Sequence, residues 1–150
     1  LCENNQYGMS MASEKAVAGE SIASRGNSYG IESVQIDGND VEAVYESVSS
    51  CKDEILSNKR PKFIEAVTYR YRGHSKSDRN LYRTSEEINF WKDEKDPIKR
   101  YIGKLLEQGI TEVDLKEIDE EVKQTIRTSV KKALDSPLSP ITNLEEDSYA

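Results

Sequence analysis

The chain has 150 residues, and its 28 Asp and Glu against 21 Lys and Arg give a formal net charge of −7 and an isoelectric point near 4.9. This acidity argues against a general nucleic-acid binder and against a protein of acidic membrane surfaces, and the length suits one domain with a single core. No apolar run approaches the roughly 20 residues that span a bilayer, and Cys2 and Cys51 lack metal-ligand spacing, so we expect a cytoplasmic chain with two free thiols.

The first half of the sequence predicts alternating strands and helices. It opens at Leu1 without a Met, and residues 2–5 fit the end of a strand, so we expect a fragment of a longer protein. The pattern then predicts a helix, a strand, a second helix and a second strand, at residues 13–25, 33–36, 41–57 and 63–68. Asp40 caps the second helix. Strand, helix and strand in this order form a βαβ unit, whose crossover should be right-handed.

The second half of the sequence predicts helices. Thr84 and Glu87 have the spacing of a capping box, in which the hydroxyl and the carboxylate each accept from the other residue's backbone N–H. Two further helices, each with one apolar face, are predicted from Pro97 to Gly109 and over residues 111–134. Residues 137–150 lack periodicity, so we expect a loose terminus there.

The only histidine of the chain, His74, lies in its most basic segment. Residues 60–83 carry seven Lys and Arg against two Asp and Glu, a local charge of +5 (7 − 2) in a chain of net charge −7. Clustered cations raise the local concentration of anions, so this segment suits a phosphorylated ligand. A solvated, charged loop explains the count equally well, and charge alone leaves both interpretations open.

Two motifs carry a resemblance to a known family: Asn4-Asn5-Gln6-Tyr7-Gly8, and Tyr69-Arg70-Tyr71-Arg72-Gly73-His74-Ser75-Lys76-Ser77-Asp78 followed by Tyr82-Arg83-Thr84. In this order they resemble the C-terminal half of the E1 component alpha subunit of thiamine-diphosphate-dependent 2-oxo acid and acetoin dehydrogenase complexes. Residues 35–41 and the helix start at 96–98 resemble that family too, so the likeness covers nearly the whole chain.

The resemblance implies a fold class and a division of the chain. The fold would be α/β, the C-terminal half of a thiamine-diphosphate-binding fold with a parallel sheet and helices on both faces, followed by C-terminal helices. The implied parts are an α/β domain with an active-site loop, a helical segment and a tail, at residues 1–84 (loop 69–84), 85–136 and 137–150.

The resemblance also implies thiamine diphosphate and Mg²⁺ as cofactors. By resemblance, Mg²⁺ is held by the side-chain oxygen of Asn5 and the backbone oxygen of Tyr7, in keeping with its preference for oxygen ligands. The family's Gly-Asp-Gly sequence, which supplies an acidic ligand and much of the diphosphate cradle, is absent. A complete site is therefore not expected on this chain alone. Apart from the second motif, Asn4 and Asn5 would suit an Asx turn after a strand.

His74 resembles the catalytic histidine of the family, at the mouth of the cofactor channel. An imidazole side chain can give or take a proton in catalysis. The resemblance places Arg70 and His74 among the cofactor-binding residues. Ser75 matches the serine at which mitochondrial relatives are inhibited by phosphorylation, where a doubly charged group would repel an acidic substrate or partner.

Four residues match family positions that tie the active-site loop down when the cofactor is present: Arg70, Asp78, Tyr82 and Arg83. Charge-assisted hydrogen bonds suit that role. Without a diphosphate to neutralise the arginines, we expect residues 73–82 to lack a single compact arrangement.

The resemblance implies an enzyme subunit, though this fragment alone should be inactive. The intact enzyme would cleave acetoin next to its carbonyl and transfer the acyl unit to lipoamide on E2; pyruvate and branched-chain 2-oxo acids are the alternatives. Expected partners are an E1 beta subunit in an alpha2beta2 heterotetramer, the E2 lipoyl domain and a small-molecule substrate, with neither nucleic acid nor a membrane. Two other classes stay open: a phosphate- or RNA-binding module built on the basic loop, and a non-catalytic helical scaffold built on residues 85–134.

Overall fold

The structure is a computed structural model that describes residues 1–141 and residue 143. Its elements, in chain order, are β1 (Cys2–Asn4), β2 (Tyr7–Gly8), β3 (Met11–Ala12), α1 (Ser13–Ala16), α2 (Ser24–Ser28), β4 (Glu32–Asp37), α3 (Val41–Asn58), β5 (Lys62–Val67), α4 (Ser85–Asp93), α5 (Pro97–Glu107) and α6 (Glu112–Asp135). The chain divides into two compact units, Leu1–Leu105 and Leu106–Ala150. No helix within the described residues is long and apolar enough to cross a membrane. Cys2 and Cys51 are free thiols, as expected.

The predicted βαβ unit is present in the first compact unit. Asp40 caps α3, its carboxylate accepting from Glu42 N at 3.1 Å and from Ala43 N at 3.2 Å. The helix ends at Asn58, and Lys59 caps it with a left-handed φ of 58° and an N–H that donates to Ile55 O at 2.9 Å. β4 and β5 pair in parallel over their full lengths. The parallel strand pair is thus confirmed, and the hand of the crossover stays a prediction.

β5 is the central strand of a three-stranded parallel sheet with the order β1-β5-β4. Its middle residues are buried, as expected of a strand with neighbours on both sides: Ile64, Glu65 and Ala66. Glu65 is the polar exception, and both of its oxygens are satisfied, one by Asn4 Nδ2 at 2.7 Å and one by Ala23 N at 2.8 Å. Helices combined with a parallel sheet confirm the α/β class, while the thiamine-diphosphate-binding fold and the cover on both faces stay predictions.

The helix predicted over residues 13–25 is wrong. Only the short helices α1 and α2 form within and just beyond this range, and a hairpin of β2 with β3 precedes them. Gly19 has a φ of 108°, which interrupts the helical path. The N–H of Ala23 donates to the carboxylate of Glu65 and not to a carbonyl one turn back. A tertiary contact therefore replaces the helical hydrogen bond that the local composition favoured.

α4 begins where predicted, but only half of its capping box forms. The hydroxyl of Thr84 accepts from Glu87 N at 3.1 Å. The carboxylate of Glu87 accepts instead from the hydroxyls of Tyr7 at 2.8 Å and Tyr69 at 2.7 Å. The Glu87 carboxylate was expected to accept from the backbone N–H of Thr84. It accepts instead from two phenolic hydroxyls that lie elsewhere in the sequence.

α5 is held against the start of α3 by ion pairs. Asp96 caps α5, as predicted from the sequence. Arg100 Nη1 lies 2.9 Å from Asp37 Oδ2, and Lys104 Nζ lies 3.1 Å from Asp40 Oδ2. Partly exposed pairs of this kind add little to stability, so their role here is to set the position of α5.

α6 is the main element of the second compact unit. Thr111 and Asp114 form a complete capping box, with Asp114 N donating to Thr111 Oγ1 at 3.2 Å and Thr111 N donating to Asp114 Oδ2 at 2.9 Å. The helix predicted over residues 111–134 is thereby confirmed. Of the predicted tail, residues 142 and 144–150 lie outside the described residues. The looseness of the tail and the division after residue 84 stay predictions.

Candidate cofactor and active site

The residues between β1 and β2 form a tight turn. Asn5 Oδ1 accepts from Tyr7 N at 3.2 Å, and Asn4 Oδ1 accepts from Gln6 N at 3.1 Å. Gln6 has a left-handed φ of 71°. These are Asx turns, the alternative expected of the Asn pair. Asn4 also donates to the buried Glu65, which fixes the turn to the central strand.

Arg70, three residues after β5, lies directly against this turn. Its Nη2 donates to Met9 O at 2.5 Å, and its Nη1 donates to Tyr7 O at 3.5 Å, the limit of hydrogen-bonding range. Nη2 also donates to the hydroxyl of Tyr82 at 3.1 Å. The two family motifs, distant in the sequence, therefore meet through the guanidinium of Arg70.

The two oxygens expected to bind Mg²⁺ lie in the same turn and fit part of a metal site. Both are uncharged; Asn5 Oδ1 already accepts from the backbone, and Tyr7 O accepts from Arg70. Among the described residues, no group of three His, Cys, Asp or Glu could hold a metal ion. Because Mg²⁺ needs about six oxygens in an octahedral shell, most of its ligands would have to come from other groups.

Asp78 is the centre of the loop between β5 and α4. Its Oδ2 accepts from His74 N and from the Tyr82 hydroxyl, both at 2.7 Å, and its Oδ1 accepts from Asn80 N at 2.9 Å. These hydrogen bonds, led by the one from Asn80, lower the pKa of Asp78 to about 2. Contacts within the chain thus give residues 73–82 a compact arrangement, while the dependence of the order of this loop on a diphosphate stays a prediction.

His74 and Ser75 are exposed side chains at an open cleft of about 320 Å³, which is lined by Met9, Ser10, His74, Ser75, Asp78, Arg79, Leu81 and Tyr82. The backbone of His74 is fixed by Asp78, while its imidazole has no hydrogen-bond partner within the described residues. The Ser75 hydroxyl lies 3.1 Å from that of Ser77. Both side chains are therefore accessible to a ligand or to another protein.

Arg83 is buried where the loop returns to α4. Its guanidinium donates to Arg70 O and, at 3.0 Å, to Arg72 O, which closes the entrance of the loop on its exit. It also lies between 5.2 and 5.4 Å from the centroids of three aromatic rings, those of Tyr7, Tyr69 and Tyr82. Since Arg83 is only 8% exposed, it ties the loop from beneath and is shielded from a ligand in the cleft.

Two carboxylates in the frame of the site were missed by sequence reasoning. Glu65 could have been noticed as the one acid in an apolar strand. Glu87 carries no such signal, because its partner Tyr7 is 80 residues away. Burial first, and then the hydrogen bond to Glu87, raise the pKa of Tyr7 and of Tyr69 to about 12, so both phenols stay protonated and continue to donate.

Comparison with known proteins places the chain in a family. The sequence profile described as "Dehydrogenase E1 component" matches residues 1–142. Because this match covers nearly all of the sequence, the chain belongs to the dehydrogenase E1 component family. The resemblance indicated by the two motifs is thereby confirmed.

Individual relatives are alpha subunits of dehydrogenases. The chain is 37% identical over 148 residues to the pyruvate dehydrogenase E1 component subunit alpha of Rhizobium meliloti, covering 98% of this chain and 42% of the relative. It is 38% identical over 151 residues to the mitochondrial type I alpha subunit of Ascaris suum pyruvate dehydrogenase, covering 99% and 38%. It is 41% identical over 110 residues to the mitochondrial 2-oxoisovalerate dehydrogenase subunit alpha of Mus musculus, covering 73% and 25%. The chain thus spans less than half the length of each of these relatives.

Proposed function

We propose that this chain is the C-terminal part of the alpha subunit of a thiamine-diphosphate-dependent 2-oxo acid dehydrogenase E1. The observation that carries the proposal is the contact between the two family motifs, in which Arg70 donates to the carbonyls of Tyr7 and Met9. Family membership implies thiamine diphosphate, which when bound supplies the nucleophilic carbon and the electron sink for cleavage next to a carbonyl. The chain's own residues would bind, orient and move protons.

In this proposal Asn5 Oδ1 and Tyr7 O provide two of the oxygens around Mg²⁺. Tyr7 O has two lone pairs, so it can bind the metal with or without the contact to Arg70 Nη1, which at 3.5 Å is weak. With Nη2 held by Met9 O and the Tyr82 hydroxyl, the guanidinium lies beside the proposed metal site and is well placed to meet an anion, because arginine pairs readily with phosphate oxygens. Arg70 is therefore the cofactor-binding cation of this part of the site.

His74 is the proposed catalytic residue. Its exposed imidazole faces solvent at the cleft, and an imidazole can protonate or deprotonate a substrate oxygen there. Asp78 holds the His74 backbone, and Tyr82 and Arg83 hold the loop around it. Phosphorylation at Ser75 would add about two negative charges beside the imidazole, so this hydroxyl is the proposed regulatory position.

The substrate and the partners belong to the whole enzyme and are part of the proposal. The names of the relatives favour pyruvate or a branched-chain 2-oxo acid as the substrate. The expectation of acetoin rests only on the likeness of the Gly-His-Ser-Lys-Ser-Asp sequence at residues 73–78. The acyl unit would pass to lipoamide on E2, and an E1 beta subunit would complete a heterotetramer in the cytoplasm. No specific observation favours the RNA-binding module or the helical scaffold.

Binding of thiamine diphosphate tests the proposal. In the full-length alpha subunit assembled with its beta subunit, we expect Asn5→Ala to weaken cofactor binding at least about tenfold in the presence of Mg²⁺, since loss of even an outer-shell partner costs about that much. Asn89, an exposed residue of α4, offers the matched control, and Asn89→Ala should bind as the wild type does. Equal affinities of the wild type and Asn5→Ala in calorimetry would contradict the assignment.

A further inference from the structure

We propose that Glu87 is a positioning residue for the cofactor site, holding the Tyr7 turn against the end of β5; this inference rests on the proposed function. Glu87 lies in α4, which the sequence assigned to a separate helical segment. A single oxygen, Oε1, accepts from the Tyr7 hydroxyl at 2.8 Å and from the Tyr69 hydroxyl at 2.7 Å. One side chain thereby joins three segments of the chain: the turn after β1, the end of β5 and the first turn of α4.

The hydrogen bonds to Glu87 lie in a partly dehydrated aromatic cluster. The ring of Tyr7 lies 6.2 Å from that of Tyr69 and 5.4 Å from that of Tyr82, centroid to centroid, and Tyr69 stacks on Trp91 at 5.1 Å. The guanidinium of Arg83 sits against the same rings. A hydrogen bond to a charged acceptor is stronger than one between neutral groups, and more so away from water.

The position of Tyr7 determines where both proposed metal ligands lie. Its N–H donates to Asn5 Oδ1, and its carbonyl oxygen accepts from Arg70. Rotation or displacement of the Tyr7 backbone would therefore move the two oxygens together. Glu87 touches neither oxygen, so it acts through the Tyr7 side chain, and its role is one of positioning.

Glu87 also couples this turn to the exit of the active-site loop. Thr84, the last residue of the loop, caps α4 by accepting from Glu87 N at 3.1 Å. Arg83, one residue earlier, bonds to the backbone at the loop entrance. The loop that carries His74 therefore begins and ends at the cluster to which Glu87 ties Tyr7, and loss of the carboxylate should loosen both.

The test compares three variants of the full-length alpha subunit assembled with its beta subunit. Glu87→Ala removes the acceptor, and Glu87→Gln keeps an oxygen that can accept without the charge. Glu86→Ala removes a neighbouring, exposed carboxylate that has no hydrogen-bond partner within the described residues. None of the three substitutions introduces glycine, proline or a β-branched residue into α4.

The first measurement needs no cofactor. Amide hydrogen exchange is followed in residues 5–12 and 69–84 of the cofactor-free enzyme. We expect Glu87→Ala to exchange faster in both segments, with Glu86→Ala unchanged and Glu87→Gln close to the wild type. Equal exchange in Glu87→Ala and the wild type would overturn the inference, whether or not the enzyme binds thiamine diphosphate.

The second measurement is the affinity for thiamine diphosphate with Mg²⁺. Glu87→Ala should bind about tenfold more weakly, as expected when a residue that orients a metal ligand is lost. Tyr7→Phe removes the same hydrogen bond from the other side, so the double variant should lose much less than the sum of the two single losses. Additive losses would overturn the inference. A wild type that does not bind the cofactor would overturn the proposed function instead. The exchange measurement would still show whether Glu87 couples the Tyr7 turn to the active-site loop.

Discussion

Gly73 lies against Asp78 too closely for any side chain. A Cβ built on Gly73 would lie 2.8 Å from Asp78 Cβ and 2.9 Å from Asp78 O, inside the distance at which carbon and oxygen atoms pack. We predict that Gly73→Ala pushes Asp78 away and releases His74 N. Limited digestion of the assembled enzyme with trypsin should then cut faster at Lys76 and Arg79.

Gly103 in α5 is the matched control for this change. Nothing lies within 4 Å of a Cβ built there, so Gly103→Ala should leave the tryptic pattern of the loop unchanged. Alanine in a helix interior should also raise the free energy of unfolding by about 0.5–1 kcal/mol. An unaltered digestion rate in Gly73→Ala would show that the loop accommodates a methyl group.

The imidazole of His74 should matter for turnover far more than for cofactor binding. We predict that His74→Ala lowers turnover of the assembled enzyme by about 100-fold or more, the range expected for one general acid or base. Cofactor affinity should change little, because the proposed metal oxygens belong to Asn5 and Tyr7. Steady-state kinetics with calorimetry separates the two effects.

Lys76, exposed in the same loop, controls for a loss of charge or length near the cleft. Lys76→Ala should keep most of the turnover. Wild-type rates for His74→Ala would leave the loop with a structural role alone.

Ser75→Glu should lower the rate with lipoyl domain more than the rate with a small acceptor dye, because the added charge lies at the mouth of the cleft.

At the scale of elements, the loop between β5 and α4 should depend on pH through Asp78. Its pKa falls from an ordinary value of 3.8 to about 2 in the folded chain, so ionised Asp78 stabilises the loop above pH 3.8 and that stabilisation is lost as the pH falls through 2. We predict that the amide resonances of His74 and Asn80 shift together in this window. Asp78→Asn should abolish that titration, and two independent midpoints would contradict a shared carboxylate.

Sequence reasoning succeeded where the structure is local. The α3 helix, the β5 strand and the caps at Asp40, Asp96 and Thr111 follow from spacing and residue type within a few positions. It failed where a distant group replaced a local hydrogen-bond partner. Within the helix predicted over residues 13–25, the N–H of Ala23 donates to the carboxylate of Glu65 and not to a carbonyl one turn back. The capping box at α4 failed in the same way, since two tyrosines took its carboxylate.

In the candidate site, too, residues within a motif could be predicted and contacts between distant residues could not. Asn5, Tyr7, Arg70 and His74 could be picked from motifs, because a resemblance marks residues that bear chemistry. The supporting contacts could not, since hydrogen bonds across 80 residues leave no periodicity to detect. Asp78, at the centre of the loop, was expected only as one of four residues that hold it. The structure was needed to show that its carboxylate accepts three hydrogen bonds at once.

At the scale of the whole molecule, the 150 residues should bind thiamine diphosphate poorly by themselves. They offer two uncharged oxygens to a metal that needs about six, and they span less than half of each relative. We predict no micromolar binding of the cofactor with Mg²⁺ in calorimetry of this piece, against clear binding by the full-length alpha and beta subunits. Micromolar binding by the piece alone would place the site elsewhere.

The order β1-β5-β4 also has a consequence for how the chain is made. Both β1 and β4 precede β5 in the sequence, so neither can pair with β5 while residues 62–67 are still inside the ribosome. Glu65, which must be paired once it is buried, arrives with that same strand. Long-range pairing of parallel strands is slow compared with forming a helix. The nascent chain should therefore carry α3 early, and the sheet and the Asn5 turn should form together only after β5 has emerged.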